Sequence, residues 1–85
     1  MFTKEIILPF DLSGRKAVMF CQAIQESTRY LVLLKKEERQ INARSLLGTL
    51  SLSAWAEDKI LLLCQLESEI VIVEEIINTL LKEGL

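Results

Sequence analysis

No histidine occurs anywhere in the 85 residues, and glycine (3), proline (1) and cysteine (2) are all scarce. The first absence removes imidazole as a phosphate carrier, metal ligand or general base near neutral pH. Scarce glycine and proline exclude collagen-like, low-complexity and linker-rich chains. Cys21 and Cys64 lie in separate apolar segments without CxxC spacing, so neither a zinc site nor a disulfide framework is expected, and both read as buried thiols. Neither has a neighbouring cation in the sequence, which argues against a reactive cysteine. We expect no metal, no cofactor and no enzymatic activity. Charge of one sign is missing too: ten Lys and Arg face twelve Asp and Glu, giving −2 and a pI near 5.1. That balance lacks the basic footprint of a nucleic-acid or anionic-membrane binder. The longest apolar runs, such as Ile60 to Cys64, fall far short of the roughly twenty residues that cross a bilayer. Lys4 and Glu5 interrupt any signal-peptide-like start. The expectation is a cytoplasmic protein whose partners are other proteins, with neither nucleic acid nor membrane among them.

What is present is core: 51% of the residues are hydrophobic, enough for one domain over residues 1–85. Phe2 to Leu8 alternates loosely and stops at Pro9, as an edge-compatible strand would. From Ser13 the period changes, and Ala17, Phe20, Cys21 and Ile24 fall at helical spacing behind a serine N-cap, with an exit at Glu26 to Thr28. Tyr30 to Leu34 and Arg39 to Ala43 read as a hairpin closed by Lys35-Lys36-Glu37-Glu38. Leu46, Leu47 and Leu50 suit a short helix over Ser45 to Leu52, weakened by Gly48. Lys59 to Gln65 is a strand. Ser68 to Lys82 is a long helix striped by Ile70, Val73, Ile77 and Leu80. The order βαββαβα predicts a two-layer α+β domain, an antiparallel sheet with its helices on one face.

Several runs carry a resemblance across the chain: Leu12-Ser13-Gly14-Arg15-Lys16-Ala17, then Asn42-Ala43-Arg44-Ser45-Leu46-Leu47-Gly48 with Leu50-Ser51-Leu52, and the ending Lys82-Glu83-Gly84-Leu85. With the element order, they resemble HPr, the phosphocarrier family of the sugar phosphotransferase system. The resemblance implies an open-faced β-sandwich, four antiparallel strands in the order 1-4-2-3 and three helices on one face. The family's loop reads Leu-His-Ala/Thr-Arg-Pro-Ala, and its histidine passes phosphate from enzyme I to a permease component. Ser13 stands in that place and Lys16 replaces the proline. Phosphocarrier activity is therefore expected to be absent, because a phosphoserine ester is too stable to donate onward. What the resemblance leaves is an anion-binding candidate at Ser13, Gly14 and Arg15, where a helix start offers free N–H groups.

The second position is Ser45. Family members are phosphorylated on a serine here by a bifunctional kinase and then join a transcriptional regulator, and a Crh-like branch lacks the loop histidine while keeping the serine. A phosphate at a helix start meets unpaired N–H groups and the favourable end of the dipole. The resemblance makes Leu46, Leu47 and Leu50 the partner-docking patch, although a helix so short must also pack a face inward. An HPr-type kinase and a transcriptional regulator are the expected partners. The alternative is an assembly or scaffold protein that acts through its sheet and is never phosphorylated.

Strand parity suggests that sheet. If Ile6, Leu8, Val32, Leu34, Ile41, Leu61 and Leu63 point at the helices, then Ile7, Leu31, Leu33, Ile60, Leu62 and Cys64 point away. In the strand order 1-4-2-3 those six form one apolar patch, larger than monomers usually expose. A homodimer through this face is the expectation; the alternative is that Trp55 or a terminal segment folds over it.

Overall fold

A computed structural model describes residues 1–83; Gly84 and Leu85 of the C-terminal run lie outside the described residues. The elements are β1 (Phe2–Ile7), α1 (Gly14–Ser27), β2 (Val32–Lys36), β3 (Arg39–Asn42), α2 (Leu46–Ser51), β4 (Lys59–Cys64) and α3 (Glu67–Lys82). The sheet is antiparallel at every pairing and runs β1-β4-β2-β3. This is the expected open-faced α+β architecture. None of the described helices is long and apolar enough to cross a membrane.

The helix periods read from the sequence are the ones that bury. Ala17, Phe20, Cys21 and Ile24 form the inward stripe of α1, and Ile70, Val73, Ile76, Ile77 and Leu80 that of α3. They close over Val32 and Leu34 of β2 and over Ile60, Leu62 and Cys64 of β4. Glu67 and Glu69 sit in the first turn of α3 and Lys82 in its last, the charge order that the helix dipole favours. The two long helices run antiparallel. Lys16 at the start of α1 donates to the Leu80 carbonyl at 2.5 Å, and just beyond its end the Arg29 N–H donates to the Glu69 carboxylate at 3.0 Å.

Two boundaries move for identifiable reasons. Lys35 and Lys36 belong to β2, because the hairpin needs only Glu37 and Glu38, and Glu37 takes the left-handed backbone (φ 55) that such a tight turn requires. Tyr30 and Leu31 precede the strand and stay exposed.

The dimer-face expectation is corrected in β4. Ile60, Leu62 and Cys64 are 1%, 0% and 0% exposed and belong to the helix-side core. The register explains it: Ile60 lies opposite Ile6, while Leu62 and Cys64 lie opposite Leu34 and Val32. Since all of these share the helix-facing side, Leu61 and Leu63 turn to the open face. Parity in β1 and β2 is as expected, with Ile7 and Leu33 on the open side. The open face therefore carries Leu33, Leu61 and Leu63, all half-buried, among Thr3, Glu5, Lys35 and Lys59. It is more mixed than the sequence suggested.

Candidate functional site

The loop between β1 and α1 is strapped to the loop that follows α2. The Leu8 N–H donates to Asp58 O (2.9 Å), the Glu57 N–H to Leu8 O (2.8 Å) and the Leu12 N–H to Ala54 O (2.9 Å). Two carboxylates finish the strap: Asp11 accepts the Ala56 N–H and Asp58 the Trp55 N–H, each at 2.8 Å. Asp58 also pairs with Lys36 at 2.9 Å. The Trp55 amide and then the Lys36 ammonium hold the Asp58 carboxyl below its ordinary range.

At the end of this strap α1 begins. Ser13 has an extended backbone (φ −146) and its carbonyl accepts the Ala17 N–H, but its side chain makes no capping bond. Gly14 follows at φ +53, a conformation that an L side chain enters only at a cost. Arg15 is exposed. The first turn of α1 contains no acidic residue. Lys16 does not point to the same space: its ammonium reaches the Leu80 carbonyl and lies 4.9 Å from the centre of the Phe10 ring. Lys16 thus ties α1 to the end of α3, where a cation is favoured.

α2 begins differently. Ser45 is its N-cap, and the hydroxyl oxygen accepts the Gly48 N–H at 3.0 Å. Gly48 leaves room for that approach, since a Cβ there would sit 3.3 Å from both Cβ and Oγ of Ser45, a tight contact. Arg44 is committed to the scaffold, its guanidinium donating to the Thr28 carbonyl (2.6 Å) and hydroxyl (3.1 Å). Its own carbonyl accepts from the Gln25 side chain at 2.9 Å.

These bonds place the start of α2 at the end of α1. Ser13 and Gln25 are separated by about 18 Å of helix at 1.5 Å per residue, so the structure does not join Ser13 and Ser45 in one pocket. α2 itself carries an exposed apolar surface. Thr49, whose hydroxyl oxygen accepts from the Cys21 thiol at 3.4 Å, is the buried side chain of α2. Leu46, Leu47 and Leu50 remain 37%, 81% and 41% exposed, so the inward packing is done by the threonine and the leucines face out.

Trp55, which the sequence offered only as an alternative cover for the sheet face, lies on the strapped loop and is 48% exposed. Both cysteines are free and buried. Burial, and then the nearby Glu69 carboxylate, push the Cys64 thiol up from 9.0 to about 11, opposite to what a nucleophile needs.

Comparison with known proteins follows this geometry. The family model described as the PTS HPr component phosphorylation site matches residues 2–82. No curated protein matches by sequence. Among solved structures, HPr-C-His from Thermoanaerobacter tengcongensis is 22% identical with a TM-score of 0.83, over 100% of both chains. The phosphocarrier HPr of Bacillus anthracis is 19% identical at 0.79, covering 91% of this chain and 93% of its own. Crh of Bacillus subtilis, a catabolite repression protein found as a domain-swapped, intertwined dimer, is 28% identical at 0.68, covering 94% of this chain and 91% of its own.

Proposed function

We propose, for a chain that belongs to the HPr family of the phosphotransferase system, that it is a protein-docking regulatory module and not a phosphocarrier. The observation that carries this is the pairing of a serine at the family's histidine position, in a chain with no histidine, with a docking surface left open at Leu46, Leu47 and Leu50. The family's members are carriers of phosphate and not enzymes. A carrier needs a group that takes and returns phosphate readily, and Ser13 has neither an imidazole nor a hydrogen-bonded base to activate it. Exposed leucines grouped on one short helix are, by contrast, what a partner buries. The test is incubation with phosphoenolpyruvate and enzyme I: no acid-labile label on the chain is expected, and its appearance would sink the reading.

Regulation at Ser45 goes with this proposal. The hydroxyl is exposed, and a phosphate on it could accept the same amide that the hydroxyl now accepts. Arg44 would not join it while its guanidinium is held at Thr28. An HPr-type kinase and a transcriptional regulator are the partners this implies, in the cytoplasm. Ser13, Gly14 and Arg15 form the complementary candidate, a helix start with an exposed cation suited to a phosphate or carboxylate on the docked protein.

A second reading, a homodimer, is favoured by the open sheet face. Ile7 and Leu31 are 50% and 38% exposed, flanking Leu33, Leu61 and Leu63. The swapped dimer of Crh shows that this fold can pair, by a different route. Leu63→Lys should leave a folded monomer by sedimentation if the sheet face is the contact. A dimer that survives Leu63→Lys would move the contact to strand exchange, and a wild-type chain already monomeric at micromolar concentration would rule out both.

A further inference from the structure

We propose that the groove between α1 and α3 is a docking site for a basic amphipathic helix of another protein. It lies on a different side of α1 from α2, so the proposal stands whether or not the regulatory reading does. Its floor is apolar: Met19 and Ala23 on α1 and Ile72 on α3, each only partly covered. Its rim is acidic. Glu26, Glu75 and Glu83 line it, and no lysine or arginine does.

The spacing of these acids decides what fits. Because α1 and α3 are antiparallel, Glu26 near the end of α1 lies toward the Ile72 end of the groove. Glu83, just past the end of α3, lies at the other end, and Glu75 stands between them. From Ile72 to Glu83 the wall is about 16 Å at 1.5 Å per residue, close to three helical turns. A guest helix of that length, apolar on one side and with lysines or arginines along its margins, would bury its stripe against Met19, Ala23 and Ile72 while its charges meet the three glutamates. A second copy of this chain is disfavoured, since it would set acidic rim against acidic rim.

The test titrates the purified protein against a fluorescein-labelled, capped synthetic helix of about three turns, with leucines at helical spacing and flanking lysines. Saturable binding that weakens as salt is raised is expected, together with amide shift changes centred on Met19, Ala23 and Ile72. The double variant Glu26→Lys/Glu75→Lys changes exposed positions only, and its melting curve checks that the fold is kept. It should weaken binding by about tenfold or more, and the same peptide with glutamates for lysines should not bind the wild type. The proposal is overturned by the absence of saturation up to about 1 mM or by equal affinity in the double variant. It also fails if the shifts fall on Leu46 to Leu50, or if sedimentation shows two copies joined through the groove.

Discussion

Ser13 and Ser45 each precede a helix with an extended backbone, yet only Ser45 uses its side chain there. At α2 the hydroxyl satisfies an opening amide, the following glycine makes room for it, and Arg44 fixes the approach. At α1 the hydroxyl caps nothing, a left-handed glycine bends the entry, and the exposed side chain in the first turn is a cation. The comparison separates two uses of one residue. The satisfied start is a structural joint whose modification would be felt by the helix. The other start lacks a side-chain cap, so its opening amides do not have the serine partner that a capped helix has.

The largest break in this contrast should come from Gly14→Ala. Nothing lies within 4 Å of the added Cβ, so no clash is involved and the cost comes from φ +53 alone. Holding an L residue there costs about 1–2 kcal/mol. Denaturant melts should show a loss of that size with an unchanged slope. A neutral result would mean that α1 can start with ordinary backbone and that its entry is not fixed.

Ser45→Ala should cost somewhat less, about 1 kcal/mol, the usual value of an N-cap hydroxyl. It removes the 3.0 Å bond to Gly48 and leaves the rest of α2 untouched. The same variant sharpens the functional side, since any label added by an HPr-type kinase should vanish while the protein still folds. Label that persists assigns the modification elsewhere.

The helices were legible because their signal is local, a period that does not change over several turns. A serine ahead of apolar residues was a poorer guide, since it marked Ser13 as an N-cap although Ser45 is the one that caps with its side chain. Strand β4 was not legible. Ile60, Leu61, Leu62, Leu63 and Cys64 are apolar at every position, so alternation could not say which set faces the helices. The answer lies in the pairing of Ile60 with Ile6 and of Leu62 with Leu34, which is non-local. Lys16 was opaque for a similar reason. Its partner, the Leu80 carbonyl, is sixty-four residues away, and the sequence showed only a missing proline. On α2 the leucines were named from the motif, but their exposure depended on Thr49 filling the interior beside Cys21.

Ser13→Ala should have the smallest effect, a change in stability within about 0.5 kcal/mol, as for surface substitutions that touch no special feature. The part of Ser13 that supports the helix is its carbonyl, which accepts the Ala17 N–H at 3.3 Å and is retained by alanine. The hydroxyl makes no capping bond, so its removal leaves no buried donor or acceptor unpaired. Thermal melts of the wild type and the variant should overlay, while Ser45→Ala measured beside them shifts downward. A loss at Ser13 of 1 kcal/mol or so, the size expected at Ser45, would mean that the hydroxyl caps α1 in solution. The two helix starts would then be alike, and the first turn of α1 would have fewer free donors to offer an anion.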